Sequence, residues 1–280
     1  MKLVRDKAMR IDEAKVSLAG ESSTGTALFT QERRQQIAHL LIEQQRVTVP
    51  ELSQLFSVSE VTIRKDLAWL ESHKLAVRTH GGAVLATPNT SEMGFDVRER
   101  ILHDEKERIG EVAASYVQNG ETIALDASTT GLAMAGYLKD KRELTVVTNG
   151  LRTGMSLINT PGISVLIPGG MLRQEAFSLV GNWGKSVLQQ IHISKAFVGA
   201  WGLSYPEGLT DVNGEEVELK RALVETAREV IALVDHSKWG LVAFATFCQL
   251  ESLKLIITDE KAPPAMVEQI RRKGIEVRIV

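Results

Sequence analysis

From residue 121 onward the chain alternates short β-rich runs with helical stretches, and that alternation restricts it to a parallel sheet covered by helices. The runs are Thr122–Leu125, Leu144–Thr148, Ser164–Ile167, Ala196–Gly199, Val230–Val234, Leu255–Thr258 and Val277–Val280. In open α/β sheets ligands bind beyond the carboxyl ends of the strands, so the residues just after each run matter most. Here those residues are Asp126-Ala127-Ser128-Thr129-Thr130, Asn149-Gly150, Pro168-Gly169-Gly170 and Asp235-His236-Ser237-Lys238. Turns that are polar or glycine-rich, placed after successive strands, converge on one crevice.

Their chemistry suits a phosphorylated, hydroxyl-rich small molecule. Ser128, Thr129 and Thr130 stand where a strand hands over to a helix, so backbone N–H groups, hydroxyls and the helix dipole face an anion together. Gly169 and Gly170 let backbone approach a ligand closely, and Lys238 adds positive charge. Asp126, Asn149 and Asp235 suit sugar hydroxyls. Taken singly, a Ser-Thr-Thr turn is more often a helix cap and a Gly-Gly pair more often a turn. Their shared position at strand ends favours the ligand reading.

A second site lies nearer the N-terminus. Ser59-Glu60-Val61-Thr62-Ile63-Arg64-Lys65-Asp66-Leu67 opens a helix after a turn, with Ser59 as its cap and Ile63, Leu67 and Leu70 as its buried stripe. Thr62, Arg64 and Lys65 occupy the opposite face, as on a helix that enters the major groove by its first turns. Asp66 cannot favour phosphate, and is expected to orient Arg64 or another nearby cation. Upstream, Arg33, Ile37, Leu40 and Leu41 mark one helix, and Thr48-Val49-Pro50-Glu51 is a capping box that begins another. Downstream, Leu75 to Val84 makes two short strands around Gly81-Gly82, a wing whose Arg78, Thr79, His80 and Gly81 lie against phosphates or in the minor groove.

These residues at these spacings resemble the N-terminal signature of DeoR-family bacterial repressors, and the resemblance runs from about residue 31 to the C-terminus. It implies a winged helix-turn-helix followed by a Rossmann-like α/β effector domain, related in fold to ribose-5-phosphate isomerase and CoA transferases. It also implies that Asp126 with Ser128 to Thr130, Thr148-Asn149-Gly150, Gly169-Gly170, the Asp211 to Lys220 segment and Asp235-x-Ser237-Lys238 are inducer-site positions. Glu216 and Lys220 lie four apart on a predicted helix, where a surface ion pair worth about 0.3–0.5 kcal/mol competes evenly with a ligand role. Arg98 and Lys106 fall on a helix predicted from Arg98 through Val117; they could relay ligand occupancy, although a solvated face is the commoner outcome.

The expected organisation is a leader at 1–30, a DNA-binding module at 31–86, a linker at 87–97 and an effector and oligomerisation domain at 98–280. A net charge of −2 does not advertise nucleic-acid binding, so affinity must come from a local patch and from avidity. Cys248 is the single cysteine, which rules out an intramolecular disulfide and fits a reducing cytoplasm. Zinc-ligand spacings, a signal peptide and any apolar run of bilayer length are all missing from the sequence, so no metal, cofactor or membrane partner is expected. The partners expected are operator DNA, a phosphorylated sugar and further copies of the chain in a dimer or tetramer. One rival reading is a sugar-phosphate isomerase with Asp211, Glu215 or Glu216 as base; the Asp211-to-Lys220 segment lacks the Lys-Gly-rich loop of the isomerases it resembles. Another is a nucleic-acid binder whose C-terminal domain only oligomerises.

Overall fold

The computed structural model describes residues 30–44, 46–73, 75–85 and 93–280; the expected leader, apart from Thr30, and most of the linker lie outside these. The N-terminal module comprises α1 (Thr30–Gln44), β1 (Arg46–Thr48), α2 (Val49–Phe56), α3 (Glu60–Ser72), β2 (Ala76–Thr79) and β3 (Gly82–Leu85). Local chemistry sets its boundaries. Extended Thr48 accepts from the Glu51 amide, and its hydroxyl meets the Glu51 carboxylate at 2.7 Å, so α2 starts where the capping box predicts. Ser57 ends α2 in the left-handed region, and Ser59 then caps α3 by accepting from the Thr62 amide at 3.2 Å. Ile37, Leu41, Leu52, Phe56, Ile63, Leu67 and Leu70 form the core between the helices. The strands pair antiparallel in the order β1-β3-β2, and Gly82 is required there, because a Cβ would stand 2.0 Å from the Val47 carbonyl oxygen.

Two helices lead into the second module, α4 (Phe95–Arg100) and α5 (His103–Ser115). The single helix predicted over Arg98–Val117 is therefore broken, and residues 95–97, at the end of the expected linker, are already helical. Tertiary contacts explain the break. Ile101 and Leu102 are buried in the core of the N-terminal module, Leu102 takes a φ of 53°, and Lys106 Nζ donates to the carbonyls of Arg98 and Ile101 that the end of α4 frees.

Beyond α5 come β4 (Thr122–Leu125), α6 (Thr129–Gly136), β5 (Leu144–Thr148), α7 (Leu151–Leu157), β6 (Ile163–Leu166), β7 (Met171–Arg173), β8 (Ser178–Val180), α8 (Asn182–Leu188) and β9 (Ile193–Val198). The chain continues through β10 (Gly202–Ser204), β11 (Gly208–Asp211), α9 (Gly214–Thr226), β12 (Ala227–Leu233), β13 (Ala245–Cys248), β14 (Leu255–Thr258), α10 (Pro264–Arg271) and β15 (Glu276–Ile279). Seven strands form one parallel sheet in the order β15-β14-β12-β9-β4-β5-β6. Its two faces bury separate apolar layers, one around Ile109, Met134, Leu138 and Phe197, the other around Val198, Leu223, Val230 and Ile256. The chain leaves β4 toward β5 and β6, then returns to β4's other side with β9. That reversal is the topological switch point at which ligands are bound in such sheets.

Candidate effector site and DNA-reading surface

At the switch point the carboxyl ends of β4 and β9 present Asp126 and Gly199. Asp126 is fully buried, accepts from the amides of Ser128 (3.2 Å) and Gly199 (2.9 Å), and lies 3.0 Å from Lys220 Nζ. Lys220 also donates to Asp211 at 2.7 Å and to the Gly199 carbonyl at 3.0 Å. Burial opposes its charge, but Asp211 and Asp126 hold the ammonium protonated well above the usual lysine range. Ser128 caps α6 by accepting from the Gly131 amide, and Thr129 and Thr130 are buried in the first turn. The sequence alternatives of helix cap and anion seat thus occupy the same atoms.

From β5 comes Asn149, whose Nδ2 donates to the Leu179 carbonyl (3.3 Å) and to Glu216 (3.4 Å). Its Oδ1 is buried with no hydrogen-bond partner among the described residues. Glu216 accepts from Arg173 at 3.0 Å and from Ser178, and its carboxyl is pushed above the ordinary range by burial, only partly offset by Lys220, Ser178 and Arg173. The surface pair anticipated between Glu216 and Lys220 does not form. Both are buried, at 4% and 6% exposure, and each answers to partners on other elements. Gly169 and Gly170 follow β6 with φ of 87° and 131°, and a Cβ on Gly170 would meet the Val180 carbonyl oxygen at 2.2 Å. At the end of β12, Asp235 accepts from the Ser237 amide at 2.9 Å; burial acts to raise its pKa, but Lys238, Lys106 and Ser237 keep it below the usual range. Lys238 Nζ stands 5.4 Å from the centre of the Trp201 ring.

The hairpin β7–β8 supplies two residues that the sequence pattern does not single out, Arg173 and Ser178. Three-residue strands leave too little periodicity to be read, and the burial of Glu216 that calls for these donors exists only in the fold. Among the described residues no group of three or more His, Cys, Asp or Glu is placed to hold a metal ion, and no helix is long and apolar enough to cross a membrane.

On the first module, Thr62, Arg64 and Lys65 project from the first turns of α3; Arg64 and Lys65 are exposed, Thr62 partly so, and Arg78, Thr79, His80 and Gly81 are exposed on the wing. Arg64 pairs with Glu60 at 2.6 Å on its own helix. Of the two expectations for Asp66, Arg64 or another cation, the structure takes the second: Asp66 is buried and holds Arg33 at 2.7 Å and Arg34 at 2.8 Å, tying α1 to α3. Arg34 in turn stacks on Trp69.

The family model described as "DeoR-like helix-turn-helix domain" matches residues 33–89, and that described as "DeoR C terminal sensor domain" matches residues 102–260. This chain belongs to the DeoR family. The regulator is 40% identical over 254 residues to the HTH-type transcriptional regulator GolR of Listeria innocua, covering 90% of this chain and 99% of that one. It is 34% identical to the HTH-type transcriptional repressor GlcR of Bacillus subtilis, covering 90% and 97% of the two chains. To the glycerol-3-phosphate regulon repressor of Escherichia coli it is 30% identical, over 89% and 98%. Among solved structures, ribose 5-phosphate isomerase A from Methanocaldococcus jannaschii superimposes with a TM-score of 0.36 and 16% identity, over 49% of this chain and 55% of that one. The regulator is a DNA-binding transcriptional regulator built from a winged helix-turn-helix and a parallel α/β sensor domain.

Proposed function

We propose that this DeoR-family regulator is a repressor, that α3 and the wing hold its operator, and that a phosphorylated sugar in the cleft beyond β4, β5, β9 and β12 releases it. The reading rests on one observation above all: the carboxyl ends of those strands carry a buried polar network, not packed apolar side chains alone. Asp126, Asp211, Glu216 and Lys220 are desolvated at a cost that a folded core without a ligand would avoid by using hydrophobic residues. Asn149 Oδ1 adds a buried acceptor with no donor among the described residues, and a sugar hydroxyl supplies one. Ser128 to Thr130 at the start of α6 and Lys238 provide for the phosphoryl group. On the operator side, Ser59, Thr62, Lys65, Arg78, Thr79, His80 and Gly81 hold the backbone and Arg64 reads base edges.

The names of two relatives, a repressor and a glycerol-3-phosphate regulon repressor, support repression and a phosphorylated effector. The protein acts as a cytoplasmic homo-oligomer without a cofactor, and it is not an isomerase. Of the candidate bases Asp211, Glu215 and Glu216, Asp211 and Glu216 are engaged by Lys220, Arg173 and Ser178, and Glu215 is exposed on α9 with no buried position beside a substrate. The deciding experiment is a gel shift on the DNA upstream of the regulator's own gene, repeated with triose, pentose and hexose phosphates. Release by one phosphorylated compound and not by its unphosphorylated counterpart is the expected result. Turnover of any of them at enzyme-like rates would overturn it.

A further inference from the structure

One helix belongs to both modules. Val97, Ile101 and Leu102 on and after α4 pack into the core of the winged module. Phe95 is anchored on the sensor domain, where its amide donates to the Glu175 carbonyl at 2.7 Å and its ring meets Phe177 edge-on at 5.9 Å. Between these anchors Arg98 extends toward Trp201. Its guanidinium carbon stands 5.8 Å from the centre of the Trp201 ring, the ring that Lys238 approaches to 5.4 Å, just past the end of β9. Lys106 completes the cluster by donating to the Arg98 and Ile101 carbonyls.

Positive charge predominates in this cluster among the described residues. Lys106 and Lys238 act on the buried carboxylate of Asp235, Arg98 acts on Lys106, and nearby Glu105 is paired with Lys261 at 3.7 Å. Such a setting suits a phosphate dianion. The Arg98 and Lys238 charges, both near one indole ring, are relieved when an anion binds among them, and the same anion favours the protonated form of Lys106.

We propose that Arg98 is an effector contact: the phosphoryl group attracted by Lys238 and the start of α6 also takes the Arg98 guanidinium, so that occupancy of the cleft is read directly by the helix that carries the winged module. This rests on the phosphosugar reading above and adds to it the residue that transmits the signal. A guanidinium forks onto phosphate oxygens with fixed geometry, so the phosphate sets the position of α4 and not merely its charge. A cavity of about 660 Å³, lined by Arg34, Trp69 and His73 on one side and by Phe95, Arg100 and Phe177 on the other, leaves α4 room to shift.

The test uses full-length protein and measures binding of inorganic phosphate, glycerol 3-phosphate and a panel of pentose and hexose phosphates, each beside its unphosphorylated counterpart. Arg98→Gln should lower the preference for the phosphorylated member by roughly ten- to a hundredfold, as loss of a charge-assisted hydrogen bond does. Arg98→Lys, which keeps the charge and loses the fork, should recover part of it. Unliganded melting transitions report whether each variant is folded, and if Arg98→Gln is not, the lysine variant decides, since it should bind several-fold more weakly than wild type. Wild-type discrimination in a folded Arg98 variant, with Lys238→Gln impaired, overturns the role of Arg98 and leaves the phosphosugar reading intact. A wild-type protein that responds to no phosphorylated compound overturns both.

Discussion

Residue-level chemistry separates side chains that hold the fold from those left free to act. Arg64 and Asp66 are two positions apart and both charged, yet their environments give them opposite tasks. Arg64 is 59% exposed and its pair with Glu60 lies within one helix, an arrangement worth little in water and readily exchanged for a base edge. Arg64→Ala should weaken operator binding by about 1–3 kcal/mol in a fluorescence titration while the response to effector persists. Asp66 is 1% exposed beside Arg33 and Arg34. Asp66→Asn removes the carboxylate from beside a buried guanidinium and should destabilise the winged module by about 3–5 kcal/mol in urea unfolding. An unchanged midpoint would show that the α1–α3 clamp contributes nothing. The partner of Asp66 was not legible, because sequence spacing places it near Arg64 whereas burial turns it toward Arg33 and Arg34 of α1.

Among the elements, α4 and α5 carry the main departure from expectation. Periodicity over 98–117 reads as one helix because Ile101, Ile109, Val112 and Ala113 fall on a helical stripe. The chain instead turns at Leu102, where burial of Ile101 and Leu102 in another module outweighs local propensity. Lys106, expected on a solvated face, is buried beneath that turn. Burial pushes its pKa down to about 7, with Asp235 opposing and Lys238 and Arg98 assisting. The folded chain therefore sheds a proton that the unfolded chain keeps between about pH 7 and the ordinary lysine range. Unfolding then takes up protons, so the Lys106 contribution to stability rises as pH increases through that window. Melting temperatures from pH 7 to 9 should show a positive slope component that Lys106→Met abolishes, and a slope identical in the variant would contradict the assignment. An anion beside Lys106 favours its charged form, so effector binding should draw in protons above pH 7, as calorimetry in buffers of different ionisation enthalpy can measure.

In the proposed function the whole molecule couples a site that reads DNA to a site that reads a metabolite through differential binding. A ligand that prefers the DNA-incompetent arrangement by about 1–3 kcal/mol lowers operator affinity about 5- to 150-fold. The same ligand stabilises the folded chain, by about 2.7 kcal/mol at a hundred times its dissociation constant, so the true effector should raise the melting temperature and lower operator affinity over the same concentrations. A compound that does one without the other is bound elsewhere or is not the effector. The parallel sheet, the winged module and the polar strand ends were all legible in the sequence. Hydrophobic period, caps and glycines are local properties, and local properties are what spacing encodes. The sequence did not reveal who pairs with whom: Lys220 with Asp126 and Asp211, Glu216 with Arg173 and Ser178, Asp66 with Arg33, and Arg98 on Trp201. Those partners lie on different elements and meet only when the strands take their order in the sheet. Desolvation, which decides whether a charge is a surface ornament or part of a site, exists only once tertiary packing has removed the water.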